Sequence, residues 1–444
     1  MSSNLLQIGA SGARAARAAL DVTAQNIANA GTAGYVRRTL SVSEMAGHGT
    51  QSSIGDVSLF GVGNETISRS ADLFRQAEMR RTGSDASRAD AQVGGLQDIS
   101  NALEQSNLYP AITQFEASLQ QLSSNPTDTS LRASTLEAAR TMAQSFNIAG
   151  TSLAAVGNQL QFQATDGVKQ VNTLTQNLAT LNTKISADTD PGMNASVLMD
   201  QRDQLLQQLS TYGNITTTIN PDNTVKVQMG NPATTLVQGG QSATLAMATA
   251  SDGTISFSVG AAALALGGGS LAGQQQALSS YAGAVTRLDA VAKSLATAAN
   301  TVQTGGTALD GSAGQPMFTG ITAATITLAL TSGNQIATAP ANSLPGSANP
   351  ANLTALQTAL GTANVVGGTD SLLFDTAAAV KGATTTQTAL TAIAANAKNA
   401  LEAQSGVNLD EEAANLVRFQ QAFQASGKVM QVASTLLDTL LNLR

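Results

Sequence analysis

The chain has 444 residues, a net charge of −7 and no cysteine. The lack of cysteine excludes a disulfide framework, a cysteine-ligated zinc site and an iron–sulfur cluster. The one histidine, His48, excludes multi-histidine metal sites, and the acidic balance argues against a nucleic-acid-binding protein. Charged residues make up 11% of the chain, against about 25% in an ordinary soluble domain, which favours a structural protein over an enzyme.

Charge is unevenly distributed along the chain. Residues 1–88 contain nine arginines against seven acidic residues, so they are net basic, while residues 311–369 contain no charge at all. The apolar runs in the uncharged stretch are too short for a membrane span, which needs about 20 apolar residues. The first 20 residues lack the compact apolar core of a secretory signal, so we expect no cleaved signal peptide.

The N-terminal pattern predicts a helix followed by two strand-like segments. Apolar residues recur at three- and four-residue steps over residues 3–30, and Gly31 is placed to cap the helix. Residues 35–42 then alternate between apolar and polar, with Arg38 interrupting the apolar side. Residues 54–69 form a second β-like stretch with glycine breaks.

A helical block comes next, and a β-rich region follows it. Residues 71–107 and 110–210 have mostly helical spacing, interrupted at Asn125-Pro126, where the helix should break. From residue 212 Thr, Ser and Gly dominate, and residues 215–227 read as a β-hairpin.

The second half of the chain returns twice to helix. Residues 274–301 have helical spacing, residues 305–370 look turn- and strand-like, and helix resumes near Leu372. Residues 408–443 show the clearest helical period, with a narrow apolar seam typical of a coiled coil, broken at Glu412 and Ser426.

These patterns predict an α+β multidomain fold. Long terminal helices pair as a coiled-coil-like core, beside a helical bundle domain and inserted β-rich outer domains. The expected regions are a terminal inner region (1–70 with 401–444), a helical rod-like region (71–210 with 271–305 and 371–400) and a low-charge β-rich outer region (211–270 with 306–370).

No residue set carries catalytic or metal-binding chemistry. His48 lies between two glycines, where a lone histidine is usually exposed and without a role. Asp200 and Asp203, near Arg202, stand three apart on a helix and are expected to form a surface ion cluster. We therefore predict no enzyme activity and no cofactor.

One N-terminal motif is specific. Asn26-Ile27-Ala28-Asn29 is followed by Thr32 and by Gly34-Tyr35, with Ala33 at a position where proline is usual. This stretch resembles the signature of the bacterial flagellar axial proteins, a family that includes rod, hook and hook-associated proteins.

Three further stretches resemble the hook-associated members found at the hook–filament junction. They are the helical block with Asn125-Pro126, Arg132 and Asn147, the Asp200-Gln201-Arg202-Asp203 block, and the segment from Leu295 to Phe318. Residues 405–429 fit the same family. The resemblance covers about residues 1–210, 275–318 and 400–444.

The resemblance implies a structural adaptor that assembles as a ring at the hook tip and joins hook to filament. Its partners would be further copies of itself, hook protein below, a second junction protein above and an export chaperone at the C-terminal helix, without nucleic acid or membrane insertion. Such proteins are exported unfolded by a type III apparatus, without a cleaved signal peptide, to the extracellular flagellum. The expected assembly residues are Asn26, Asn29, Gly34, Tyr35, Leu416, Phe419, Phe423, Met430, Leu437 and Leu440.

Other functions stay open. A hook or distal rod subunit shares the terminal motifs, although the Asp200 to Asp203 block argues against it. A surface adhesin would fit the Thr-, Ser- and Gly-rich middle. An enzyme grafted into the middle is disfavoured by the uncharged stretch and the single histidine.

Overall fold

The structure, a computed structural model, describes residues 2–32, 34–47, 58–188 and 193–442. His48 and Ala33 therefore lie outside the described residues. The fold is mostly helical, with long terminal helices and several small antiparallel sheets in the middle of the chain, which confirms the predicted α+β class.

Most of the described residues belong to long helices. The helices are α1 (Ser2–Asn29), α2 (Leu73–Glu104), α3 (Leu108–Ser124), α4 (Thr129–Ala187), α5 (Met193–Tyr212), α6 (Gly269–Thr304), α7 (Ala351–Thr362), α8 (Val365–Ser405) and α9 (Leu409–Asn442).

The strands form antiparallel hairpins and meanders. They are β1 (Arg38–Gly47), β2 (Ser58–Arg69), β3 (Ile215–Ile219), β4 (Val225–Met229), β5 (Thr234–Gln238), β6 (Gln241–Ser242), β7 (Leu245–Thr249), β8 (Ile255–Val259), β9 (Ala262–Leu264), β10 (Gly306–Thr307), β11 (Phe318–Thr319), β12 (Thr327–Leu328) and β13 (Ala339–Pro340). Strands β1 and β2 pair, β3 to β6 form one sheet, β7 to β9 form another, and β10–β13 and β11–β12 are two-residue pairs.

The chain divides into two compact units. The first contains Met1–Gly83, Val171–Thr244 and Thr391–Arg444, and the second contains Ser84–Gln170 and Leu245–Leu390. The first unit therefore combines both ends of the chain with a central segment.

In the first unit the two terminal helices pack side by side. A Cβ atom on Gly9 would lie 2.7 Å from Met430 Cγ, and one on Gly12 would lie 3.0 Å from Ser426 Oγ. The α9 residue number falls as the α1 number rises, so the helices are antiparallel. Glycine at both positions allows the close approach that the alanine-rich face of α1 predicts.

A side chain of α4 anchors the first sheet. Asn182 Nδ2 donates to Val225 O at 2.8 Å, and Val225 N donates to Asn182 Oδ1 at 2.9 Å. The amide thus satisfies both backbone groups of one strand residue, which would otherwise be buried without partners. The predicted hairpin at residues 215–227 is confirmed as β3 and β4.

The second unit is built round a continuous apolar core. Phe115, Leu119 and Leu122 of α3 are fully buried with Phe146 of α4. The ring of Phe115 meets that of Phe318 edge to face, with centroids 6.3 Å apart. The core ties the uncharged segment to the helices, although that segment has little regular structure of its own.

The expectation for residues 305–370 was partly wrong. Helix α7 begins at Ala351 and α8 at Val365, so helix returns well before Leu372. Leu353, Leu356 and Leu360 bury one face of α7. The threonines and glycines that surround these three leucines favour turns, which is why the sequence pattern does not predict this helix.

Candidate assembly site

Asn26 organises the turn after the N-terminal helix. Its side chain is 1% exposed, and its Nδ2 atom donates to Arg38 O at 2.8 Å. The Oδ1 atom accepts from Arg38 N at 3.0 Å and from the Tyr35 hydroxyl at 2.8 Å. The end of α1 and the first residue of β1 are therefore locked together by one amide.

The other residues of the motif shape the turn itself. Asn29 Nδ2 donates to Gln25 O at 2.9 Å, and Tyr35 N donates to Thr32 O at 3.2 Å. Gly34 has φ of +79°, a left-handed conformation that favours glycine. The turn therefore depends on Gly34 for its backbone and on asparagine for its hydrogen bonds.

The carboxylates of α5 meet the hairpin arginines in a buried cluster. Asp200 contacts Arg38 Nη2 at 2.8 Å and Arg69 Nη2 at 2.7 Å. Asp203 contacts the same Arg69 Nη2 at 2.8 Å and Arg202 Nη2 at 2.9 Å. The predicted surface location was wrong, because the β1–β2 hairpin covers this face of α5: Arg38 and Arg202 are buried, and the side chain of Arg69 is only 6% exposed.

The cluster changes the titration of its members. Burial alone would raise the pKa of Asp203, but Arg202 and Arg69 outweigh it, so the pKa lies below its usual value. Burial also raises the pKa of the Tyr35 hydroxyl, with Arg38 opposing the shift. Asp203 is therefore held as a carboxylate, as a stable ion-pair partner requires.

A second ion pair joins the base of the hairpin to the C-terminal helix. Arg37 Nε lies 2.6 Å from Glu412 Oε1, and Arg37 Nη2 lies 3.3 Å from Glu411 Oε2. Glu412 is 2% exposed, although its position in the apolar seam marked it as a break. The contact gives that break a structural role, since it fixes where α9 begins relative to β1.

The structure places the C-terminal candidates along one side of α9. Leu416, Phe419, Met430 and Leu437 are half-buried, whereas Phe423 is 44% exposed. The side chain of Leu440 lies outside the described residues. The same side includes Ser426 and Met430, which meet the glycines of α1.

Among the described residues no group of three or more His, Asp or Glu side chains could hold a metal ion. No described helix is long and apolar enough to cross a membrane. The contacts of the candidate site join residues from both ends of the chain and from α5.

The motif residues and the apolar seam could be found from local sequence. The partners of Arg38 and Arg69 could not, because Asp200 lies more than a hundred residues away. One usable signal was Arg38 itself, a charged residue on the otherwise apolar side of a predicted strand.

Comparison with known proteins gives consistent matches along the chain. The model of the flagellar hook-associated protein FlgK helical domain matches residues 93–318, about half of the chain. The flagella basal body rod protein model matches residues 6–35, and the flagellar basal body rod FlgEFG protein C-terminal model matches residues 398–443.

Relatives agree with these family matches. Flagellar hook-associated protein 1 of Bacillus subtilis is 26% identical, over 96% of this chain and 96% of its own length. The protein of the same name from Salmonella typhimurium is 30% identical, over 55% of this chain but only 44% of its own length. The solved hook junction protein FlgK from Burkholderia pseudomallei is 25% identical with a TM-score of 0.49, over 55% of this chain and 46% of that one. The chain belongs to the FlgK family of flagellar hook-associated proteins, and its role is a structural one in the flagellum.

Proposed function

We propose that this protein is an adaptor that assembles as a ring at the hook tip and joins the hook to the filament. The observation that carries the proposal is the paired terminal helices, whose outer surfaces stay apolar. Val417, Val432 and Leu436 of α9 are 52%, 57% and 47% exposed, and Leu5 of α1 is 40% exposed. Exposed apolar surface of this kind is typical of a protein that buries it against neighbours.

The rigid base of the helix pair supports the same role. The Asn26 turn, the buried arginine–aspartate cluster and the Arg37–Glu412 pair fix the two helices to the hairpin and to α5. These cross-links add polar contacts to a helix pair in which α1 contributes mainly alanine and glycine.

The wider proposal follows the family. The adaptor has no enzymatic activity and needs no cofactor. It lies outside the cell, on the flagellum. Its neighbours are further copies of itself, hook protein below and the second junction protein above, with an export chaperone on the C-terminal helix. The division into inner, helical and outer regions belongs to this proposal.

Replacing Phe423 with aspartate tests the role of the helix pair. Phe423→Asp puts a charge on a half-covered apolar position, where burial against a neighbour would then cost several kcal/mol. We expect the variant to be exported and soluble but absent from purified hooks, with swimming lost. Phe423→Leu, which keeps the apolar surface, should behave as wild type. Normal filaments in the aspartate variant would count against the assignment.

A further inference from the structure

Arg80 of α2 is a buried cation without a carboxylate partner in the described parts of the chain. The residue is 7% exposed, and its guanidinium makes one hydrogen bond there, from Nη2 to Thr217 Oγ1 of β3 at 3.2 Å. Burial lowers the pKa of this guanidinium, but arginine stays protonated at neutral pH. Because a buried charge is costly unless it is paired, Arg80 lacks the negative partner that its burial requires.

The acidic group whose charge acts on Arg80 is already fully engaged. That group is Asp203, whose Oδ1 atom accepts from Arg202 Nε at 3.0 Å and Nη2 at 2.9 Å. Its Oδ2 atom accepts from Arg69 Nη2 at 2.8 Å and Gln76 Nε2 at 3.1 Å. The positive charge of Arg202 also acts on Arg80 and opposes the attraction of Asp203. The aspartates of α5 therefore do not compensate Arg80.

Arg132 shows how this chain satisfies a buried guanidinium without an anion. Its Nε, Nη1 and Nη2 atoms donate to Pro126 O, Ile336 O and Thr338 Oγ1, so every nitrogen has an uncharged acceptor. Arg80 has no such set. Its Nε and Nη1 atoms have no acceptor among the described residues, yet neither atom is fully buried, so both contact solvent. A solvent ion can therefore reach the unpaired nitrogens.

Thr217 offers a second donor beside this guanidinium. Its Oγ1 atom accepts from Arg80, and no group in the described ranges accepts its hydroxyl proton, so that proton is free to be donated. The side chain is half-buried on β3, an edge strand of the β3–β6 sheet. An N–H group and an O–H group thus lie side by side without an acceptor between them.

We propose that Arg80 and Thr217 bind a chloride ion. An anion supplies the missing negative charge, which a water molecule in the same place does not. Sulfate and phosphate carry several acceptor oxygens, and two donors beside a nearly covered residue would leave most of those oxygens unsatisfied, so a monatomic ion suits the site better. The ion joins α2 to β3 within the first unit, and its binding does not depend on the role proposed for the protein.

Chloride-dependent unfolding of the full-length protein tests the site. Thermal unfolding is followed by circular dichroism in sodium chloride and in sodium gluconate at matched concentrations, so that charge screening is the same in both salts. A ligand that binds only the folded chain raises its stability as the ligand concentration passes Kd. We expect the Tm of the wild type to lie several degrees higher in chloride, with a difference that saturates.

Matched variants assign the effect to the two donors. Arg80→Met and Thr217→Val should lose most of the difference in Tm between the two salts. Arg81→Met, which removes an exposed side chain paired with Glu78, and Thr216→Val, at an exposed position on the same strand, should keep it. A wild type that unfolds at the same temperature in both salts would overturn the proposal, and so would a Thr217→Val protein that responds to chloride as the wild type does.

Bromide gives a second readout that needs no variant. Crystals of the wild-type protein grown in sodium bromide should show an anomalous scattering peak beside the Arg80 guanidinium and the Thr217 hydroxyl. A water molecule at that place, with bromide only elsewhere on the surface, would contradict the assignment.

Discussion

Within the described parts of the chain, single asparagines attach strands to helices in three places. In each, the side-chain amide both donates to the carbonyl of a strand residue and accepts from its N–H, as a neighbouring strand would. The pairs are Asn26 with Arg38, Asn182 with Val225 and Asn300 with Phe318. Short, irregular strands can therefore be held without a wide sheet.

Replacement of Asn26 should show how much its three hydrogen bonds contribute to the free energy of unfolding. Asn26→Ala leaves the backbone groups of Arg38 and the Tyr35 hydroxyl without partners, and each buried unsatisfied group costs about 1–3 kcal/mol. We expect urea unfolding to show a loss of about 3 kcal/mol in the free energy of unfolding. Asn29→Ala, which removes a bond to a helix carbonyl, should cost under about 1 kcal/mol. Equal losses would contradict the assigned role.

Arg132 is the second residue on which much depends. Its side chain is fully buried and donates to Pro126 O at 2.6 Å, Ile336 O at 2.9 Å and Thr338 Oγ1 at 2.7 Å. Each of these acceptors is uncharged, and burial lowers the pKa of the guanidinium. The guanidinium group of Arg132 therefore attaches the uncharged segment, residues 311–369, to the start of α4.

Substitution of Arg132 should therefore unfold part of the second unit. Arg132→Met leaves several buried oxygens unsatisfied, so we expect a loss of about 3 kcal/mol or more. Arg140→Met on the same helix removes an exposed pair with Glu137 and should cost under about 0.5 kcal/mol. Calorimetry on both variants checks the difference, and an Arg132 variant as stable as the Arg140 variant would disprove the claim.

At the scale of elements, residue spacing and turn residues predict those helices and hairpins that are stabilised by contacts within one segment. The helical period of its apolar residues predicts α9. The turn residues predict the β3–β4 hairpin, and in that turn Asp222 Oδ1 accepts a hydrogen bond from Thr224 Oγ1 at 2.7 Å. Asp252 makes the same turn between β7 and β8. By contrast, the local pattern does not predict α7, because its three buried leucines stand among threonines and glycines that favour turns.

The packing of the hairpin against α5 was not predictable in the same way. An Asp-x-x-Asp pair on a polar helix reads as a surface feature until its partners are known. Arg38 and Arg69 reach it only because β1 pairs with β2 in a register that places Arg38 opposite Arg69. The burial of these arginines and aspartates therefore depends on tertiary contacts between distant segments, which no single segment of the sequence reveals.

The ion pairs between the β1–β2 hairpin and α5 should weaken in acid. The pKa of Asp203 is lowered in the folded state, so its stabilisation is present above the ordinary value of 3.8 and is lost as pH falls through the folded value. We expect Asp203→Asn to be less stable than wild type at pH 7 and to lose less stability below about pH 4. Asp166→Asn, an exposed position, should keep wild-type stability at pH 7. Parallel acid curves for wild type and Asp203→Asn would contradict this.

For the whole molecule, composition and terminal motifs are enough to indicate the class of protein. A chain without cysteine, with little charge and two long terminal helices is consistent with the FlgK family. The register in which α1 packs on α9 could not be derived from the motifs. It depends on the close approach of Gly9 to Met430 and of Gly12 to Ser426.

The most direct test of the adaptor role is electron microscopy of cells that lack the protein, together with an assay for flagellin in the medium. We expect complete hooks without filaments, and flagellin released into the medium because it has no seat on which to polymerise. Complementation with the intact gene should restore filaments. Cells without hooks would instead assign the protein to the rod or hook, and intact flagella would contradict the account.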